Sequence, residues 1–182
     1  MRRRSLSMSV AITAILGTAT LAAQHTTQIH PGKGGSPHVR AEWTIDGAHI
    51  TIEYGRPSLK GRPESQMMPA GKPWRTGADE ATVLTTDKTL KFGTLSLAAG
   101  AYTLNTQPGA SGWELIVGKL GKHGQWGIPY DAALEIGRAP MKAGKTAAPV
   151  EHVTISVDDT AAGGTLRVEW GTTSATITFT VG

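Results

Sequence analysis

From residue 39 onward the chain alternates apolar and polar positions in short runs, and no window sustains a helical period. The clearest run places Val39, Ala41, Trp43 and Ile45 between Arg40, Glu42 and Thr44. After Asp46-Gly47, Ala48, Ile50, Ile52 and Tyr54 alternate with His49, Thr51 and Glu53. Asp-Gly between alternating segments predicts a two-residue hairpin, because both turn positions need positive φ. With Asp46 and Gly47 as the turn, Ile45 faces Ala48, Trp43 faces Ile50, Ala41 faces Ile52 and Val39 faces Tyr54. The opposite side then pairs Thr44 with His49, Glu42 with Thr51 and Arg40 with Glu53. One register thus gives an apolar face and a polar face with an opposite-charge pair.

Further strand-like runs cover residues 81–86, 89–97 with a break at Gly93, 101–106, 113–117, 134–141, 153–157, 165–170 and 173–181. Many short strands between Gly, Pro and Asp turns predict an all-β fold, an antiparallel β-sandwich or barrel-like single domain over residues 39–182. Trp43, Trp113, Trp170, Tyr102 and Phe179 are its expected core aromatics. One stretch breaks the pattern. Residues 55–81 form a connection too long for an ordinary turn, with Leu59, Met67, Met68 and Trp74 as anchors that predict a structured loop, and with a helical turn near residues 64–68.

The first 23 residues have a different character. Arg2, Arg3 and Arg4 precede a short apolar run and then small residues ending at Ala22 and Ala23, the order of a secretory signal peptide. Arg3-Arg4-Ser5-Leu6 also partly matches a twin-arginine signal, so either export route stays open. The expectation is an exported protein, periplasmic or extracellular. The apolar run is too short for a membrane span. Removing three Arg leaves 15 basic and 14 acidic residues, a net of +1, so the sequence pI of 9.5 belongs mostly to the signal. Global charge therefore gives no reason to expect nucleic-acid binding. Residues 24–38, rich in Gly, Pro and His, read as a flexible leader. His25, His30 and His38 could bind a transition metal, but the reading taken is a solvated tail, and no metal or cofactor is assigned. With no cysteine, disulfide scaffolds, thiol catalysis and cysteine zinc sites fall away.

Candidate chemistry concentrates in the 55–81 loop. It carries five cations, Arg56, Lys60, Arg62, Lys72 and Arg75, against Glu64, Asp79 and Glu80. Arg gives bidentate contacts to carboxylate or phosphate, so a concave anion site is one reading. In the other, Arg75 pairs with Asp79 or Glu80 while Arg56 and Arg62 cap the loop's own carbonyls. Trp74 and Trp126 in loop-like sequence either stack on sugars or act as buried anchors.

Two stretches here, Tyr54-Gly-Arg-Pro-Ser-Leu-Lys-Gly-Arg62 and Trp74-Arg-Thr-Gly-Ala-Asp-Glu-Ala-Thr82, resemble the signatures of an exported bacterial family, domain-of-unknown-function family 2911. Leu97-Ala-Ala-Gly-Ala-Tyr-Thr-Leu104, Gln125-Trp-Gly-Ile-Pro-Tyr-Asp131 and Glu169-Trp-Gly-Thr-Thr173 resemble its later motifs in the same order. The similarity covers roughly residues 38–181. Two departures stand out: Asp79 where the family usually has Asn, and Asn105 where an aromatic follows Tyr-x-Leu. The resemblance implies export and a β fold, and implies no activity.

Other chemistries lack their patterns. There is no Gly-x-Ser-x-Gly elbow and no His-x-His or His-Glu-x-x-His zinc pattern. The stretch from Gly137 to Gly144-Lys145-Thr146 has six residues between the glycines, too many for a phosphate loop. His123 and His152 are isolated and read as surface or strand-end residues. Glu80, Asp79, Glu53 and Glu114 are the carboxylates available for paired work. The leading expectation is a non-catalytic binding module for a small anion or an envelope glycan, held by Arg56, Lys60, Arg62, Lys72, Trp74, Arg75 and Glu80. The alternatives are a hydrolase or lyase using Glu80 or Asp79 beside Arg75, and a structural envelope protein. A site requires Arg56, Arg75 and Glu80 to converge on one solvent-reachable cleft.

Overall fold

The computed structural model describes residues 24–110, 112–121 and 130–182. Its strands in chain order are β1 (His25–His30), β2 (His38–Ile45), β3 (Ala48–Gly55), β4 (Val83–Thr86), β5 (Leu90–Phe92), β6 (Leu95–Leu97), β7 (Gly100–Pro108), β8 (Trp113–Lys119), β9 (Glu135–Thr160) and β10 (Gly163–Val181). The signal-like residues 1–23, His123 and Trp126 lie outside the described residues.

The hairpin of β2 and β3 has the register that its alternation predicts, from His38 opposite Gly55 to Ile45 opposite Ala48. Asp46 and Gly47 take φ values of +47° and +72°. Val39, Ala41, Trp43, Ile45, Ala48, Ile50, Ile52 and Tyr54 are all buried. On the other face Arg40 meets Glu53 at 2.5 Å.

The strands form one antiparallel sheet in the order β1-β2-β3-β4-β7-β8-β9-β10-β5-β6, which is not closed, so the fold is all-β and sandwich-like. β9 turns the sheet over. Its first part, up to Met141, pairs with β8, and from Lys142 onward it pairs with β10. The two layers meet where the Tyr54 hydroxyl, on β3, accepts the Ile155 N–H of β9 at 3.0 Å. Trp43, Trp113, Trp170 and Phe179 are buried between them as expected, whereas Tyr102 is only half-buried, its hydroxyl donating to the Ala98 carbonyl at 2.9 Å.

Two expectations need correction. Runs 134–141 and 153–157 belong to a single strand, as do 165–170 and 173–181. The apparent breakers are bulges. Lys145 and Val150 of β9 oppose Thr173 and Gly171 of β10, so the residues between Lys145 and Val150, Pro149 among them, arc out of the ladder without ending it. Gly171, at φ +61°, absorbs the kink on the other strand. The second correction concerns residues 24–38, expected as a flexible leader: β1 lies within them and pairs with β2 along its length. The polar composition hid this strand because β1 is an exposed edge, and an edge needs no apolar face.

Candidate functional site

The 55–81 loop is structured by ties to both layers. The Leu59 N–H donates to the Glu151 carbonyl at 3.0 Å, and the Val153 N–H donates to the Pro57 carbonyl at 3.1 Å. Further along, Trp74 and Thr106 exchange both backbone hydrogen bonds, at 2.7 and 2.9 Å. The expected helical turn is α1 (Glu64–Met67). Its first residue reaches β10, where the Glu64 carboxylate accepts the Thr172 N–H at 2.7 Å and the Thr172 hydroxyl at 3.0 Å, as well as the Thr173 hydroxyl. Burial pushes the Glu64 carboxyl up, but these donors outweigh it and hold the group below its ordinary value. Gly171 makes room, since a Cβ there would sit 2.3 Å from Glu64 Oε1.

The loop cations divide by what they hold. Arg56 is committed to β9, donating to the Val153 carbonyl at 2.9 Å and to the Thr154 hydroxyl at 3.0 Å. Arg62 caps the loop's own Leu59 and Ser58 carbonyls. Lys60 reaches the Gly34 carbonyl at 3.3 Å, and Arg75 donates to the backbone carbonyl of Asp79 at 2.9 Å. No described carboxylate pairs with Arg75. Lys72 is exposed and lines neither of the concavities below.

Four of the sequence candidates share one groove of about 440 Å³: Lys60, Arg62, Trp74 and Arg75, together with Asp79 and Trp170. Trp74 stacks on the buried Trp170, with ring centroids 5.6 Å apart and planes at 11°, and meets the edge of Trp113. Both indoles are thereby locked at low conformational cost. Among the described residues, Nη1 of Arg62 and Nε and Nη2 of Arg75 have no protein acceptor. The Asp79 carboxylate opposes these cations but is itself engaged by the Lys33 N–H at 3.0 Å. Next to Arg75, Thr76 is buried at φ +56°, a conformation costly for a β-branched residue. It is held there by the Thr106 hydroxyl at 3.0 Å.

Arg75 and Glu80 do converge, but on a different concavity, and Arg56 is absent from it. A cavity of about 410 Å³ lies on the face of the sheet turned away from the core, over β4, β7 and β8. Its floor includes Val83, Thr103, Asn105 and Ile116, and Ile29 and Leu134 lie against it. Asn105 stands opposite Ile116 on the neighbouring strand. The sequence carried one sign of it: Leu115, Ile116 and Val117 are buried in succession, and a strand buried on both faces reads as a continuous apolar run. Gly118 leaves space for the cover, since a Cβ there would approach the Thr103 hydroxyl at 2.6 Å and the Leu134 carbonyl at 3.3 Å.

At the end of this cavity stand His30, His38 and Glu80. β1 pairing brings His30 opposite His38, and their rings stack with centroids 4.8 Å apart and planes at 9°. His30 Nε2 is 3.4 Å from Glu80 Oε1, and His38 Nδ1 is 3.2 Å from Glu80 Oε2. The second approach is close but out of line for a hydrogen bond, so the buried His38 Nδ1 and Glu80 Oε2 both lack a partner. Burial pushes the His38 imidazole down, the Glu80 charge pushes it back up, and His30 pushes it down again; the net direction is down. The three donor groups lie within 4.8 Å of one another. Reasoning from sequence set His30 and His38 aside as solvated residues, because only the pairing of β1 with β2 brings them to Glu80.

The profile of one family, described as Protein of unknown function (DUF2911), matches residues 36–179. No curated protein and no solved structure matches the chain.

Proposed function

The chain belongs to this family of unknown function, and from that premise we propose that the protein is an exported, non-catalytic binding module whose loop groove takes an anionic sugar. One observation carries the reading: Lys60, Arg62 and Arg75 face the same groove as the locked Trp74. An indole supplies the flat apolar surface on which a sugar ring stacks. The spare N–H groups of Arg62 and Arg75 suit a carboxylate or phosphate on that ring. The signal-like order of residues 1–23 supports export to the periplasm or beyond, and among the described residues no helix is long and apolar enough to cross a membrane.

The test is calorimetric titration of the purified protein with glucuronate, glucose 6-phosphate and neutral glucose. The two anions are expected to bind, with the neutral sugar at least about tenfold weaker, equivalent to 1.4 kcal/mol. Lys60→Ala, an exposed change, should weaken both anions several-fold. Asp79→Asn should tighten them by a similar factor, because it removes the one carboxylate in the groove. Equal binding of neutral and anionic sugars, or no binding of any of them, would sink the proposal.

A further inference from the structure

We propose that His30, His38 and Glu80 form a site for a divalent transition-metal ion of the zinc class, with a remaining coordination position open to the cavity. The ligands are Nε2 of His30, Nδ1 of His38 and the Glu80 carboxylate. Two imidazoles and one carboxylate are a donor set that zinc and its neighbours accept while keeping a position free. Metal–ligand bonds of about 2.0–2.1 Å in a tetrahedron place neighbouring ligand atoms about 3.3 Å apart. His30 Nε2 lies 3.4 Å from Glu80 Oε1 and His38 Nδ1 lies 3.2 Å from Glu80 Oε2, both near that spacing, and all the ligand atoms lie within 4.8 Å of one another, so a small closing movement completes the set.

A second, independent observation points to an ion. His38 is 5% exposed, and its Nδ1 faces Glu80 Oε2 with neither atom hydrogen-bonded. Buried polar atoms without partners are rare and costly. A cation between them satisfies both at once. Glu53, the other carboxylate at this end of the cavity, is already tied to Arg40 and does not compete for the role.

The stack of the two rings has a consequence for loading. Parallel imidazoles cannot both aim a lone pair at one ion, so one ring must turn. His30 is the ring able to do so: its side chain is 38% exposed against 6% for His38. One described hydrogen bond steadies the ring, the Gly32 N–H donating to Nδ1 at 3.1 Å. Loading breaks that bond, moves the His30 proton to Nδ1, and leaves Nδ1–H to donate to water. His38 and Glu80 are therefore the fixed part of the site and His30 the closing part.

The experiment is titration of metal-free purified protein with Co2+, followed by the strong visible bands of four-coordinate cobalt, and then displacement of the cobalt by Zn2+. One equivalent is expected to develop the bands. His38→Ala and the near-isosteric Glu80→Gln should each weaken binding at least about 100-fold, and His30→Ala by a smaller factor, since loss of even an outer-shell partner costs 10–100-fold. His25→Ala removes an exposed histidine of the same strand and should change nothing. The proposal is overturned by three results: no bands, bands that survive both His38→Ala and Glu80→Gln, or bands lost with His25→Ala. Glu80 does not line the groove and Lys60 does not line the cavity. Failure here therefore reads separately from failure of sugar binding.

Discussion

The groove and the cavity share Arg75, yet they differ in one respect: the cavity ends in a buried polar pair with no hydrogen bond, and the groove, among the described residues, has none. In the groove almost every charged side chain already holds part of the chain: Arg62 caps Leu59 and Ser58, Lys60 reaches Gly34, and the Asp79 carboxylate holds Lys33 N–H. In the cavity, His38 Nδ1 and Glu80 Oε2 are buried with nothing to bond. A satisfied cation is explained by the fold it supports, and only its spare donors are left for a ligand. An unsatisfied buried pair is a cost that the fold alone does not offset. The five-cation loop is the conspicuous feature of the sequence, but the stronger physical case for a bound group lies with three residues from the leader and the loop's end.

The largest expected effect comes from removing the groove's foundation. Trp170 is 1% exposed, stacks on Trp74, and donates through Nε1 to the Glu151 carbonyl at 3.0 Å. Trp170→Ala should cost about 3–5 kcal/mol in urea unfolding and abolish sugar binding. The cavity sits on the opposite face of the sheet, so Co2+ affinity of the folded fraction should stay within a few-fold of the parent. Loss of both activities in a folded variant would show that the two regions are one site.

Next in size is the clamp that ties the loop to β10. Glu64→Gln replaces a carboxylate that accepts three hydrogen bonds from Thr172 and Thr173, and should cost about 1–3 kcal/mol. The pH dependence has a definite sign. Because the folded-state pKa lies below the ordinary value of 4.5, the wild-type advantage over Glu64→Gln should be full above about pH 4.5. It should shrink as pH falls through the folded-state value. Chemical unfolding of both proteins at several pH values checks this, and an advantage that grows on acidification would contradict the hydrogen-bond account. Sugar affinity should fall with the loosened loop while metal affinity holds.

Legibility followed the same division. The hairpin register was readable because period-two alternation and an Asp-Gly turn are local signals, and they agree on both faces. The loop's anchors were readable because Leu59, Met67, Met68 and Trp74 are apolar residues in polar sequence. The single long β9 was not readable, since Pro149 looks like a terminator and only the partner strand shows it to be part of a bulge. Glu80 was a candidate, but its partners were not found: the pairing of His30 with His38 depends on an edge strand with no apolar signature. Of the two departures from the family pattern, Asp79 lies in the groove and Asn105 in the cavity wall, which sequence order alone could not show.

The smallest effect sharpens the contrast between two carboxylates of one cavity. Glu53 and Glu80 both line it, but Glu53 accepts from Arg40 Nε at 2.8 Å and Nη2 at 2.5 Å, on a rim where the Arg40 side chain is 50% exposed. Such a pair gains little over its hydration. A double-mutant cycle with Arg40→Ala and Glu53→Ala should return a coupling under about 1 kcal/mol, reduced further in high salt. Glu53→Gln should leave Co2+ affinity nearly unchanged, whereas Glu80→Gln should weaken it at least about 100-fold. If instead the two glutamines weakened the metal equally, the ion would be held by the general negative field of the cavity, and the unpartnered contact of His38 with Glu80 would not be its cause.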